Sequence, residues 1–185
     1  MKRVLVPLAP GFEEVEALTV VDYLRRAGAH VVTASVGAKN PITGKQRVRV
    51  MADIDLQEAL DEWGDAFDLV VLPGGPGVAR LLESEPLMQL LRDRLQKGGA
   101  TAAICAAPTV LAAAGLARTT RITSWPGSRP DLADFPNYAE DTVVIDGNIT
   151  TSRGPGTSVA FALSLVAQLF GPEAAEELRV DTVSA

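Results

Sequence analysis

The stretch AAICAAPTVL, Ala102 to Leu111, holds the only cysteine of the chain, Cys105. Up to Cys105 the residues are those of a short apolar strand. Directly after it come two alanines and Pro108, a residue that suits the first turn of a helix. A strand that passes into a helix through so few residues is the joint of a βα unit. A thiol at that joint sits where a strand-to-helix elbow presents a nucleophile. Two roles are open to Cys105 at this point: a small buried filler, or a reactive thiol whose pKa the following helix N-terminus would lower.

The same alternation continues in both directions. RVLVPLA reads as a buried strand, and EEVEALTVVDYLRRAG as a helix with Ala17, Val20, Val21 and Leu24 on one stripe, closed by Gly28. HVVTASV is a second strand. NPITGKQRVRV predicts a small hairpin turning at Thr43-Gly44. FDLVVLPGG is a strand that ends in glycines, and EPLMQLLRDRLQKGG a helix with Pro86 in its first turn. TVVIDGNITTS is a hairpin, TSVAFALSLVAQLFG a strongly apolar helix and PEAAEELR a short last one. Apolar strands alternating with helices imply a parallel sheet covered on both faces. No repeat, low-complexity tract or linker interrupts the 185 residues, so one α/β domain is expected over 1–185.

Composition narrows the partners. The chain is 47% hydrophobic and 22% charged, with a net charge of −6 and no block of like charges. Nucleic acid is therefore not expected as a main partner, because phosphate binding needs a basic surface. One cysteine forms no internal disulfide, which fits a reducing, cytoplasmic setting. The opening MKRVLVPLAPGFEE starts like a signal segment, but Pro10, Glu13 and Glu14 break its apolar run. No window approaches ~18 uninterrupted apolar residues, so no membrane span is expected. Nor is a metal site: the single His30 and Cys105 are far apart, and no carboxylate cluster has ligand spacing.

In open parallel sheets, ligands bind beyond the carboxyl ends of the strands. Four segments fall there: PLAPGFEEVE, LPGGPG, ICAAP and TSRGPGTS. Gly75-Pro76-Gly77 starts like a dinucleotide fingerprint, but Arg80 occupies the third small position, which disfavours a nucleotide. Gly75 can instead make a tight turn, or offer an N–H to an oxyanion beside a nucleophile. Glu13, Glu14 and Glu16 all suit a helix N-terminus by charge. Glu16 differs, because it lies beside the apolar stripe one turn before Val20. Desolvation there raises a carboxyl pKa and leaves the group able to donate a hydrogen bond and to exchange a proton with a substrate.

LAPGFEEVEALTVVDYLRRAG, DLVVLPGG, AAICAAPTVLAAAGL and TSRGPGTSVAFAL together resemble the ThiJ/PfpI superfamily. Within it they are most similar to the branch of the human parkinsonism-associated protein deglycase and bacterial YajL. The likeness runs almost from end to end, with all four blocks in order. It implies a flavodoxin-like, three-layer fold with a mostly parallel sheet, and a homodimer. It assigns the conserved acid to Glu16 and the readily oxidised cysteine to Cys105. It places oxyanion-binding N–H groups at Gly75 and Ala106, and pocket positions at Gly74, Trp125 and Arg153, the last near the dimer interface. It implies no cofactor.

The departures are specific. Where human-type members have a histidine in a Thr-His-Pro context, this chain reads ITSWPG, with Trp125. His30, at the start of the second strand, is expected at the wrong end of the sheet. The peptidase branch has histidine directly after the cysteine, and Ala106 stands here. Trp125 is either ordinary packing or a wall that favours small carbonyl compounds. Gln46 falls where the family often has a pocket arginine, and Arg47 beside it is a candidate substitute. The resemblance thus implies a weak glyoxalase- or deglycase-type enzyme acting on reactive α-oxoaldehydes or glycated groups. The alternatives are a cysteine-based oxidative-stress sensor or redox-regulated chaperone, and, less favoured, a peptidase or amidase.

Overall fold

The computed structural model describes residues 1–184. The elements that run through the first half are β1 (Arg3–Leu8), α1 (Glu14–Arg26), β2 (His30–Ser35), β3 (Ile42–Thr43), β4 (Arg49–Val50), β5 (Ile54–Asp55), α2 (Leu56–Trp63) and β6 (Leu69–Leu72). The second half contributes α3 (Val78–Glu83), α4 (Glu85–Lys97), β7 (Thr101–Ile104), α5 (Pro108–Ala113), β8 (Val143–Asp146), β9 (Ile149–Ser152), α6 (Ser158–Phe170) and α7 (Pro172–Asp181). Short 3-10 turns cover Pro126–Leu132 and Pro155–Thr157.

Seven strands form one sheet in the order β5-β2-β1-β6-β7-β9-β8. Every pairing is parallel except β8 with β9, the hairpin expected from TVVIDGNITTS. The central strands are apolar on both faces because both faces are covered. Val4, Val6, Leu8, Ala102 and Ile104 join α1 and α6 in one buried layer, while Leu5, Val70, Leu72 and Ala103 join α2, α3, α4 and α5 in the other. This is the flavodoxin-like three-layer sandwich with its separate two-stranded hairpin.

That hairpin, β3 with β4, pairs Ile42 with Val50 and Thr43 with Arg49. Its turn is displaced from the expected Thr43-Gly44 to Lys45–Arg47, where Arg47 takes a left-handed φ of 68°. Gly44 is needed for a different reason: a Cβ there would run into the Glu14 carboxylate. β5, α2 and α3 lie in segments that carried no expected element.

Candidate active site

Cys105 leaves β7 with φ of 65°, a left-handed conformation that costs a non-glycine residue ~1–3 kcal/mol. The surroundings hold it there. Its N–H donates to the Ser152 carbonyl at 3.1 Å, its carbonyl accepts the Trp125 N–H at 2.8 Å, and Ala107 N–H closes the turn onto Ile104 at 3.0 Å. The thiol is half-buried, at the carboxyl end of β7. The backbone has the shape of a strand-to-helix elbow with a cysteine at its corner.

Glu16 reaches the same point from the first turn of α1. The three glutamates divide the work. Glu13 caps the helix, accepting the Glu16 N–H at 2.9 Å. Glu14 accepts the N–H groups of Gln46 and Val48 at 2.7 and 3.3 Å, and so pins the hairpin turn. Glu16, with 1% of its surface exposed, accepts the Gly74 N–H at 2.8 Å through Oε2. Its Oε1 is buried without a hydrogen bond of regular geometry, and the Cys105 thiol is its side-chain neighbour.

Gly74 is where the two side chains meet. A Cβ on it would lie 2.6 Å from the Cys105 Cβ and 2.7 Å from Glu16 Oε2, so only glycine lets them converge. Gly75 turns at φ of 87°, with Gly11 O and Glu13 N filling the space a side chain would need. The Gly75 and Ala106 N–H groups both act on the thiol, favouring its ionised form.

The electrostatics belong to a pair. Burial pushes the Glu16 carboxyl up to about 7 against the pull of the thiol, the Gly74 N–H and the Lys45 charge. Burial also pushes the Cys105 thiol up to about 12, followed by the charge of Glu16 and the hydrogen bond between them. The expectation of a thiol lowered by its helix N-terminus is therefore corrected. α5 has only six residues, and burial beside a carboxylate outweighs what its end supplies. The two groups interact and titrate as a pair. A thiol with a carboxylate, and a thiolate with a carboxylic acid, differ only in where one proton sits.

The other expected site residues lie further out. Trp125 is half exposed and lines a shallow cleft of about 280 Å³ with Arg153, Gly154 and Pro155. Arg153 donates to the Glu140 carbonyl at 3.0 Å, and no hydrogen bond joins it to Cys105 or Glu16. His30 is exposed at the opposite end of the sheet, edge-on to Trp63 with 6.1 Å between ring centres. Gln46 meets Glu14 through its backbone, and the charge felt at Glu16 is that of Lys45 rather than Arg47. Lys45 was not a candidate in the sequence. Among the described residues, no group of three or more His, Cys, Asp or Glu side chains could hold a metal ion, and no helix is long and apolar enough to cross a membrane.

The chain as a whole matches known proteins. The DJ-1/PfpI family pattern matches residues 2–168. This chain belongs to the DJ-1/PfpI family. Drosophila melanogaster protein DJ-1beta is 44% identical over 179 residues, covering 96% of this chain and 94% of that protein. The crystal structure under that name superposes with a TM-score of 0.93 at 42% identity, covering 100% of this chain and 98% of the other. A Caenorhabditis elegans relative named glutathione-independent glyoxalase DJR-1.2 is 35% identical, with 96% of this chain and 94% of the relative covered. Oxidised DJ-1 of Toxoplasma gondii aligns over the whole of both chains, at 34% identity and a TM-score of 0.92.

Proposed function

We propose that this protein is a cofactor-independent, glyoxalase-type enzyme of the cytoplasm that converts α-oxoaldehydes to hydroxy acids. The observation that carries the proposal is the convergence of Cys105 and Glu16 over Gly74, with the Gly75 and Ala106 N–H groups on the sulfur. The glyoxalase-named relative supports the substrate class.

Cys105 Sγ adds to the aldehyde carbon, forming a C–S bond, while the thiol proton passes to Glu16. The former carbonyl oxygen takes up the developing charge against the Gly75 and Ala106 N–H groups. Glu16 passes the thiol proton on to that oxygen, giving a neutral hemithioacetal and freeing the carboxylate. It then takes the proton from the former aldehyde carbon and returns it to the neighbouring carbon, while the hydroxyl proton moves to the former ketone oxygen, leaving a thioester and a new hydroxyl. Water attacks the thioester, the C–S bond breaks, and the hydroxy acid departs. The aldehyde carbon is oxidised by two electrons and the ketone carbon reduced by two, so no external redox partner is consumed.

The test is methylglyoxal turnover followed by proton NMR. Wild-type protein should release lactate, and Cys105→Ser should release none above the buffer blank. Equal lactate from the variant would overturn the proposal.

A second reading has its own support. Cys105 is only half-buried, and the unpaired Glu16 Oε1 would donate a proton to a cysteine sulfinate. In that reading, peroxide oxidises Cys105 by two oxygen atoms and the protein acts as a sensor. Intact mass after mild peroxide should show that gain, and Glu16→Leu should stop it short. A homodimer belongs to both readings. Val15, Val48 and Met51 are large apolar side chains with 50%, 49% and 67% of their surface exposed, available to a contact surface.

A further inference from the structure

We propose that Glu13 is more than a helix cap: it is a positioning residue that clamps Glu16 and Gly74 together and sets a second buried carboxyl group behind Glu16. The inference concerns the Cys105–Glu16 pair itself and goes beyond both readings of what that pair does.

The geometry starts at the N-terminus of α1. Glu13 Oε2 accepts the Glu16 N–H at 2.9 Å. The Glu13 N–H donates to Gly74 O at 3.0 Å, and the Gly74 N–H donates to Glu16 Oε2 at 2.8 Å. Glu13, Glu16 and Gly74 are thus joined in a closed ring of three hydrogen bonds, which holds Glu16 by its main chain and by its side chain. The Glu13 nitrogen also lies 2.8 Å from where a Gly75 Cβ would stand. The same residue therefore borders the peptide whose N–H acts on the Cys105 thiol.

The residue type is unusual for its place. Ser, Thr, Asp and Asn are the preferred caps, with short side chains that reach back to the first turn. Here a longer glutamate does the capping with 6% of its surface exposed, although burial penalises a charge. A local rule broken at a buried position is expected where function requires it.

The charges give the requirement. Glu13 and Glu16 are two buried carboxyl groups in one helical turn, and the ionised form of one opposes that of the other. Among the described residues, Glu13 makes no ion pair. Glu14 is turned away, to the amides of the hairpin. Burial raises the Glu16 carboxyl most, and the Cys105 and Gly74 hydrogen bonds pull it down. Of the two nearby charges, Glu13 pushes it up and Lys45 pulls it down. The helix packed against α1, α6, contains no ionisable side chain. Glu13 thus fixes where the Glu16 carboxyl sits and makes it hold its proton harder.

The test separates the clamp from the charge. Glu13→Gln keeps a capping oxygen of the same reach and removes the charge, whereas Glu13→Ala removes both. The infrared carboxylic-acid band of Glu16, recognised as the band missing from Glu16→Gln, reads its proton directly. In wild type the band should fade with a midpoint of about pH 7. In Glu13→Gln the midpoint should fall by about one pH unit, the effect of one unit charge close by, while resistance to denaturant stays near wild type. Glu13→Ala should lower the midpoint too and lose resistance to denaturant, as a missing cap does. A midpoint unmoved in Glu13→Gln would leave Glu13 a helix cap and overturn the assignment. With methylglyoxal, the pH profile of kcat should move to lower pH in Glu13→Gln by the same amount, with KM little changed. A shifted band in a protein that makes no lactate would defeat the glyoxalase reading and leave the role of Glu13 standing. Lactate formed by Glu13→Gln with the wild-type pH profile would do the reverse.

Discussion

Two of the charged side chains buried in this molecule, Arg94 and Glu16, are treated in different ways. Arg94, on α4, has 2% of its surface exposed. Its guanidinium donates to Asp65, to Phe67 O at 3.0 Å and to Ala100 O at 2.7 Å. Both terminal nitrogens are engaged, with Nε left over, and the group ties the start of β6 to the start of β7. Glu16 is as deeply buried but receives one backbone N–H, has one oxygen left over, and faces a thiol that itself resists ionisation. A buried charge paired with an acid and two carbonyls serves the fold, whereas a buried acid facing a thiol is a candidate proton carrier. The two sites lie at opposite ends of the same sheet, the Glu16 site at the carboxyl edge where ligands bind.

The difference can be broken by substitution, and the largest effect belongs at the site. Glu16→Gln keeps the shape and removes the proton carrier. Turnover of methylglyoxal should fall by about a hundredfold or more, while the variant stays folded. Arg94→Ala should do the reverse. It strips partners from Phe67 O and Ala100 O and should cost about 3 kcal/mol in denaturant titration, with activity per folded molecule unchanged. Gly74→Ala should strike both properties, because its Cβ would overlap Cys105 and Glu16 together. A loss of about 2 kcal/mol is expected from overpacking, with the pair pushed apart and turnover lost. An active Gly74→Ala protein would mean that the pair does not meet where the structure puts it.

The smallest effect is the pH dependence of stability. Burial raises Glu16 from an ordinary 4.5 to about 7, so the folded protein binds that proton more tightly than the unfolded chain does. The contribution is full below about pH 4.5 and is lost as pH rises to about 7. Wild-type stability should therefore decline between those values more steeply than that of Glu16→Gln. Parallel curves would show that Glu16 is not desolvated.

Much of this was legible in the sequence, for identifiable reasons. The strands that build the sheet's centre are apolar on both faces, and α1 carries its stripe openly. Cys105, Glu16 and Gly75 were visible as chemistry at strand ends. What escaped depended on distance or brevity. β5 is two residues long, too short for any period to register. α2 had signals that were not used: Asp55 at its cap, apolar Leu56, Ala59 and Leu60, and Gly64 at its end. The hairpin turn moved because Gly44 is a glycine for the sake of Glu14, thirty residues upstream, and no local rule contains that contact. Lys45 escaped with it. The burial of the thiol beside Glu16 escaped because helix ends are local, and the burial that opposes them is not.

The central claim is that Cys105 and Glu16 share one proton and act as a unit. The direct measurement is the pH profile of Cys105 alkylation by iodoacetamide in wild type and Glu16→Gln, with lactate formation followed in the same samples. Removing the carboxylate takes away both the charge and the hydrogen bond that Glu16 sets against thiolate formation. The account predicts a thiol that ionises more readily in Glu16→Gln while lactate formation collapses. A thiol profile that stays where it was, or a Glu16→Gln protein that still makes lactate at the wild-type rate, would contradict it.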